Sequence, residues 1–137
     1  MLDTSAVIAF LEGGHTGVRD IIVAGRARPV VSVITIGELH HGVEAAPDAA
    51  HRRRRTRTLN GCELMEVCEV TTQAARIFGH LSADMPRAVG ANDRWIAATA
   101  IVSGHQLVTF DADFAHRLRN VETPNNWALT QVTLLQS

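Results

Sequence analysis

LVTFDADF, residues 107–114, joins a strand-like apolar run to two acidic side chains. The run predicts a strand over 106–110 that is buried on both faces, as strands of parallel sheets are. Asp111 and Asp113 follow at its carboxyl end, which is where ligands gather in open α/β sheets. The segment therefore predicts an α/β fold with functional acids at one edge of the sheet.

Segments with strand character alternate with segments of helical periodicity along the chain. The predicted strands cover residues 1–3, 29–34, 64–70, 106–110 and 127–135. Strands separated by helices predict right-handed β-α-β crossovers, and hence a parallel sheet covered by helices on both faces. The predicted helices cover about 5–11, 18–22, 36–46, 72–86 and 92–104. The first is ended by Gly13 and Gly14, the second by Gly25 and the last by Gly104. The fourth is capped by Thr71 or Thr72 and must end by Pro86, and the last begins at Asn92.

Length and composition limit the type of protein. The chain has 137 residues, so residues 1–137 are predicted to form a single domain. No apolar run approaches the ~20 residues that cross a bilayer, and the N-terminus lacks the basic and apolar pattern of a secretory signal. We therefore expect a cytoplasmic protein without a membrane partner, in which Cys62 and Cys68 are free thiols.

All thirteen basic residues are arginine, and lysine is absent. A P-loop needs a lysine at its phosphates and Schiff-base chemistry needs a lysine amine, so both classes are excluded. Receiver-like phosphoacceptor domains and haloacid-dehalogenase-type phosphatases also combine a short α/β chain with an early aspartate. Both of these classes use a lysine, and neither fits.

Several acids follow predicted strands or open predicted helices at the same edge of the sheet. They are Asp3, Glu38, Asp93, Asp111 and Asp113. Two unit charges 4 Å apart repel by about 4 kcal/mol at an effective dielectric constant of 20, so such a group takes up protons or binds a cation. Oxygen ligands suit Mg²⁺ or Mn²⁺. Because such ions activate water for attack on phosphorus, the pattern predicts phosphodiester hydrolysis.

Four short blocks contain these acids and occur in a fixed order: LDTSAVI at 2–8, ITIGEL at 34–39, NDRWIAATA at 92–100 and LVTFDADF at 107–114. Together they resemble the PIN-domain ribonucleases, most closely the VapC toxins. The resemblance implies a three-layer α/β/α fold with a central, mostly parallel five-stranded sheet. By matching position, it implies that the catalytic and metal-binding acids are Asp3, Glu38, Asp93 and Asp111. It also implies a supporting set around the metal, namely Asp113, Thr109, Ser5 and Asn92.

The same resemblance implies a reaction and partners. The reaction is Mg²⁺-dependent cleavage of RNA, often tRNA or ribosomal RNA, and the partners are a second copy of the chain and a VapB antitoxin whose tail blocks the site. Only Met1 and Leu2 precede Asp3, fewer residues than is usual in the family. This predicts a stub of a central strand and leaves open a natural start upstream. The loop at 85–93 lacks the usual basic-Gly-x-x-Ile sequence, which leaves its substrate contacts open.

Each acid also has a purely structural interpretation. Asp93 could favour a helix N-terminus through the helix dipole, an effect of ~0.3–1 kcal/mol, and the same holds for Glu38. Asp111 and Asp113 could form a turn, and Asp3 could cap a helix. The family pattern favours function for the set as a whole, while for Asp113 the two interpretations remain balanced.

Two further motifs have less specific interpretations. Glu38 and His41 form one E-x-x-H, whereas di-iron carboxylate bundles need two. The arginine-rich segment HRRRRTRTL, 51–59, is predicted to be helical between Asp48 and Gly61. Successive residues fan around a helix, so a solvated surface is favoured there, and contact with nucleic-acid phosphates is the alternative.

Two other functions remain open from the sequence. One is a PIN-like binding module that holds a metal and an antitoxin without turnover, which retained RNA affinity without cleavage would indicate. The other is a structure-specific DNA nuclease, although such enzymes are generally longer. A matched pair of RNA and DNA substrates separates these functions from an RNA nuclease.

Overall fold

The computed structural model describes residues 1–26, 28–84, 89–119 and 132–134. Within these ranges the chain forms seven helices and four short strands. In chain order they are α1 (Thr4–Gly13), α2 (Thr16–Gly25), β1 (Val30–Ser32), α3 (Val33–Glu44), α4 (Ala49–Glu63), β2 (Glu66–Cys68), α5 (Thr72–Asp84), α6 (Ala91–Ser103), β3 (Leu107–Thr109), α7 (Ala112–Arg119) and β4 (Val132–Leu134).

The strands form two parallel pairs that the first residues of the chain join. β1 pairs with β2, and β3 pairs with β4. Between β1 and β3, the Leu2 N–H donates to the Val30 carbonyl (2.9 Å) and the Asp3 N–H donates to the Val108 carbonyl (3.0 Å). Leu2 also forms a parallel bridge with Val108. Residues 1–3 are therefore the predicted strand stub, and the spatial order is β2, β1, residues 1–3, β3, β4.

Each face of this sheet has its own hydrophobic core. Neighbouring residues of a strand point to opposite faces, so Val30 and Leu107 belong to a cluster that α5, α6 and α7 cover. Val31 and Val108 belong to a second cluster, which α1, α2, α3 and α4 cover. The arrangement confirms the predicted three-layer α/β/α class.

Local signals end two helices where the sequence predicts. Gly14 follows α1 with φ 57°, and Gly104 follows α6 with φ 67°. Glycine tolerates these left-handed conformations without a steric penalty. At the other end of a helix, the Thr71 hydroxyl accepts the Ala74 N–H and caps α5. The glycine and threonine residues of the sequence therefore predicted these helix boundaries correctly.

Three strands are shorter than predicted: β3 covers only Leu107–Thr109 of the predicted 106–110, and β1 and β2 lose outer residues to helices. The predicted strand 29–34 ends at Ser32, whose hydroxyl accepts the Ile34 N–H and caps α3. The predicted strand 64–70 is confined to β2, since Leu64 is the C-cap of α4. Both predictions were too long because apolar and β-branched residues also occur in helix ends that pack against a sheet.

Several helix boundaries also differ from the prediction, and α3 covers Val33–Glu44 in place of the predicted 36–46. Gly61 does not stop α4, which continues to Glu63. A Cβ added at Gly61 would lie 3.2 Å from the Leu11 Cδ1 atom, so the missing side chain allows α1 and α4 to approach closely. α6 begins at Ala91, one residue before the predicted Asn92.

Three further predictions concern the chain as a whole. β4 lies within the predicted last strand, 127–135, of which 127–131 and 135 lie outside the described residues. Cys62 and Cys68 are free, as predicted. In the described part of the chain, every helix is too short or too polar to cross a bilayer.

Candidate active site

Three of the predicted acids lie at helix N-termini. Asp3 is the N-cap of α1, Asp93 lies in the first turn of α6, and Asp111 directly precedes α7. Helix dipoles favour negative charge at these positions. Glu38 lies on α3, which starts where β1 ends. The fold thus carries acids from four distant parts of the sequence toward one edge of the sheet.

Asp3 is almost fully buried, with 4% of its surface exposed. Its Oδ1 accepts hydrogen bonds from the Ala6 N–H (2.8 Å) and from the Ser5 hydroxyl (2.7 Å). Burial raises the pKa of Asp3, and hydrogen bonds from Thr109, Ala6 and Ser5 oppose that rise because they stabilise the carboxylate. The capping role and the proposed site role therefore belong to the same side chain.

Asp93 shows that the four acids form one electrostatic group. Its pKa is raised to about 6, first by burial and then by the negative charges of Glu38, Asp3 and Asp111. Each of these charges makes the ionised form of Asp93 less favourable. A bound cation relieves such repulsion, whereas without one the group retains protons up to a higher pH.

Glu38 is held by a hydroxyl group that was not among the predicted site residues. The Thr4 hydroxyl donates to Oε1 of Glu38 at 2.6 Å and lies 3.2 Å from the Thr35 hydroxyl. Thr4 has a single hydroxyl proton, which the shorter contact takes, so Thr35 must donate in the longer one. Because Thr35 is fully buried, the relay from Thr35 through Thr4 fixes the direction of the Glu38 carboxylate.

Asp111 combines a structural role with proximity to the other acids. Its Oδ1 accepts the Phe114 N–H (2.9 Å) and caps α7, while its own N–H donates to the Thr109 hydroxyl (3.0 Å). Its charge is nevertheless one of those that raise the pKa of Asp93. Thr109 is fully buried and also bonds to the carboxylate of Asp3. This threonine therefore links two of the acids.

Two of the predicted supporting residues lie beside the acids. The Ser5 hydroxyl donates to Asp3 and accepts the Phe110 N–H at 3.4 Å, so it connects α1 to the segment after β3. Asn92 lines a shallow depression together with Glu38. Both residues are exposed, so they lie at the surface beside the acids.

Asp113 differs from the other predicted residues. It is exposed and forms an ion pair with Arg117 (2.8 Å), one turn further along α7. Its charge is not among those that raise the pKa of Asp93. The structure therefore does not bring Asp113 into the group of four acids.

The chemistry of the donor set fits a hard divalent cation. Carboxylates and hydroxyls offer only oxygen atoms, which Mg²⁺ and Mn²⁺ prefer. Across the residues that the structure describes, no three Asp, Glu, His or Cys side chains form a ready-made coordination group. Direct ligation by three acids therefore requires a side chain to rotate, whereas a hydrated Mg²⁺ needs only one or two carboxylates. The residues present fit a cation that keeps part of its water shell.

Comparison with known families accounts for this arrangement. Residues 1–118 match the family model of the PIN domain. The chain belongs to the PIN-domain family. The match includes all four acids and every element from α1 through β3.

The relatives of this PIN domain identify its branch of the family. The protein named Ribonuclease VapC5 of Mycobacterium tuberculosis is 36% identical over 118 residues, which cover 84% of each chain. That identity over most of both chains places this PIN domain in the VapC family. The resemblance on the four sequence blocks is therefore confirmed.

Solved structures with the same fold come from toxin-antitoxin systems. VapBC-5 of Mycobacterium tuberculosis superposes with a TM-score of 0.70 at 29% identity, covering 98% of this chain and 96% of that one. The DNA-bound VapBC of Salmonella typhimurium superposes with a TM-score of 0.72 at 25% identity, covering 97% and 95%. The similarity to these VapBC structures thus covers nearly the whole chain.

Proposed function

We propose that this PIN domain is a Mg²⁺-dependent endoribonuclease toxin of the VapC type, which cleaves phosphodiester bonds of RNA. The observation that carries the proposal is the placement of Asp3, Glu38, Asp93 and Asp111 at one edge of the sheet, and the contribution of the other three charges to the raised pKa of Asp93 agrees with that placement. The relationship to Ribonuclease VapC5 supports RNA as the substrate.

The acids in this proposal bind the cation, and their neighbours fix the acids. The residues that would hold one or two Mg²⁺, or Mn²⁺ in its place, are Asp3, Glu38, Asp93 and Asp111. When bound, such a cation supplies an activated water and stabilises negative charge on the phosphate and the leaving oxygen. Ser5 and Thr109 hold Asp3, and Thr4 holds Glu38. The exposed amide of Asn92 can donate to a phosphate oxygen.

The proposed partners of this protein are based on the related VapBC structures. The VapBC structures support a VapB-type antitoxin as the inhibitor of this protein. Family resemblance further supports tRNA or ribosomal RNA as substrate, assembly as a homodimer and action in the cytoplasm. Each of these is part of the proposal.

Removal of the divalent cation is expected to abolish RNA cleavage. A 5′-labelled RNA would be incubated with Mg²⁺, with Mn²⁺ or with EDTA, alongside a DNA of the same sequence. We expect RNA fragments with 5′-phosphate and 3′-hydroxyl ends in Mg²⁺ and Mn²⁺ only, because the acids alone offer no activated water. Equal cleavage in EDTA would contradict metal dependence. Preferential DNA cleavage would indicate a DNA nuclease, and RNA binding without cleavage would indicate a regulatory module.

Replacing Thr4 with valine is expected to lower the cleavage rate about fivefold. The change keeps the side-chain shape but removes the donor to Glu38. A hydrogen bond to a partly exposed carboxylate contributes on the order of 1 kcal/mol, since water replaces part of it. Thr4→Ser keeps the hydroxyl and is the matched control, expected to cleave at nearly the wild-type rate. Initial rates over a series of Mg²⁺ concentrations measure the effect, and a Val variant as active as the Ser variant would remove the positioning role.

A further inference from the structure

The arginines of α4 divide between two sides of the helix. Ala49, Arg52, Arg53, Thr56 and Arg57 follow helical spacing and line one surface depression. We call this surface the outer arginine face. It is opposite the side of α4 that packs into the core through Leu59 and Cys62.

The arginines directed toward the protein are occupied by partners there. Arg55 donates to the carbonyl of Gly42 at 2.6 Å. Arg52, at the margin of the outer arginine face, donates to Glu44 at 3.0 Å. These contacts tie α4 to α3, so the two arginines have a structural function.

Arg53 and Arg57 are different. Both are exposed, and in the part of the chain that the structure describes neither forms an ion pair or a hydrogen bond. They lie four residues apart, and like charges at this spacing destabilise a helix by about 0.2–0.5 kcal/mol. The repulsion between these two unpaired positive charges is therefore unfavourable for the stability of α4. The net charge of the chain is −1, so this basic surface is a local feature.

A cleft connects the acidic site to this part of α4. Its walls come from α1, α3 and α4, with Thr4 and Glu38 at the acidic end. Arg54 and Thr58 of α4 line the same cleft. Arg54 forms an ion pair with Glu12 at 3.8 Å and lies three residues before Arg57, a spacing that makes the two arginines neighbours on the helix surface. The outer arginine face therefore begins at Arg57, one helical step beyond the margin of this cleft.

We propose that Arg53 and Arg57 bind backbone phosphates of the RNA on one side of the cleavage position, so that the outer arginine face anchors the substrate. The inference rests on the proposed ribonuclease function for the identity of the polyanion. Arginine pairs well with phosphate because its planar guanidinium donates two parallel hydrogen bonds. Aromatic side chains are absent from the residues lining this face, so it contacts the backbone without reading bases.

The test compares two double variants with the same change in charge. Arg53→Gln/Arg57→Gln alters the face, and Arg19→Gln/Arg76→Gln removes two exposed arginines from α2 and α5. Binding of a fluorescent 20-nucleotide RNA would be measured in EDTA over a series of salt concentrations, with a gel to verify that the RNA stays intact. For the face variant we expect affinity lower on the order of tenfold near physiological salt, and a slope of log K against log salt smaller by about 1.4, since each single-strand phosphate contact contributes ~0.7. The control variant is expected to retain the wild-type slope.

The outcomes separate this inference from the proposed function. Cleavage by the wild type in Mg²⁺ is measured in parallel. If the protein binds RNA through the outer arginine face but does not cleave it, this inference stands and the nuclease proposal fails. Cleavage by wild type with equal affinity and slope in both double variants would overturn the inference. So would a loss of affinity for a VapB-type antitoxin in place of RNA, because the face would then belong to a protein partner. Thermal unfolding verifies that the face variant is folded, and its melting temperature is expected to be unchanged or slightly higher, since a like-charge pair is removed.

Discussion

Asp93→Asn is expected to lower Mg²⁺-dependent RNA cleavage by at least about 100-fold. Residues that only orient a metal ligand cost about 10- to 100-fold in affinity or activity when changed, so loss of a ligand itself should exceed that range. Asparagine has the size of aspartate but carries no charge. The cation is then held by three carboxylates, Glu38, Asp3 and Asp111, in place of four. Initial rates with a labelled RNA at saturating Mg²⁺ provide the measurement.

The same substitution is expected to stabilise the metal-free protein. In the wild type, burial and three neighbouring charges disfavour ionised Asp93 and raise its pKa to about 6. At pH 7.5 this side chain is mostly ionised, and removing its charge should raise the free energy of unfolding by about 1 kcal/mol after allowance for partial exposure. For a domain of this size that corresponds to roughly 2–4 °C in melting temperature.

Opposite effects on activity and stability distinguish a site residue from a structural one. Asp20→Asn on α2 is the matched control, because Asp20 is an exposed aspartate outside the acidic group. It is expected to change neither the cleavage rate nor the melting temperature in EDTA. If Asp93→Asn cleaves RNA at the wild-type rate, or if it is active but less stable than wild type without metal, Asp93 does not belong to a cation site.

Sequence patterns predicted the fold class and most helix ends because these depend on local signals. Glycine in a left-handed conformation marks the ends of α1 and α6 whatever surrounds it, as Gly14 and Gly104 show. Strand lengths were harder to predict. Ser32 ends β1 by capping α3. Inside a run of β-branched residues, a serine is compatible with both a continued strand and the start of a helix, and the sequence pattern does not distinguish the two.

The site was predictable to the extent that it depends on topology. Acids after parallel strands meet at one edge, so Asp3 and Asp111 could be placed together from their sequence positions. The bond between Thr4 and Glu38 joins α1 to α3, and no spacing along the chain indicates that these two helices cross at those residues. Asp113 shows the opposite case. It follows β3 like Asp111 does, but it lies in the first turn of α7 and pairs there with Arg117.

The second large effect expected is a pH-dependent affinity for Mg²⁺. The pKa of Asp93 is about 6 in the folded state, above its ordinary value of 3.8. Asp93 therefore binds a proton more tightly in the folded protein than in the unfolded chain. Its contribution to stability is therefore complete below its unfolded pKa and is lost as the pH rises through about 6. Mg²⁺ binds the ionised form and competes with that proton. Asp3, whose pKa is also raised, adds to the effect in the same direction.

We expect the affinity for Mg²⁺ to fall on the order of tenfold between pH 7.5 and pH 5, since only about one tenth of a group with a pKa near 6 is ionised at pH 5. Melting temperatures with Mg²⁺ and with EDTA would be compared at pH 5, 6 and 7.5. With Mg²⁺ near its Kd at pH 7.5, the stabilisation should be largest at pH 7.5 and nearly absent at pH 5, because a ligand that binds only the folded state stabilises it by RT ln(1 + [L]/Kd).

Other groups titrate in the same range and make a difference measurement necessary. Burial lowers the pKa of the Met1 ammonium to about 6 and lowers the pKa of His105. Both changes make the folded protein more stable as the pH rises, which is opposite to the effect of Asp93. The decisive quantity is therefore the increase in melting temperature caused by Mg²⁺, compared between wild type and Asp93→Asn. A wild-type increase that is the same at pH 5 and pH 7.5 would show that Mg²⁺ does not compete with protons at these acids, and the proposed cation site would be wrong.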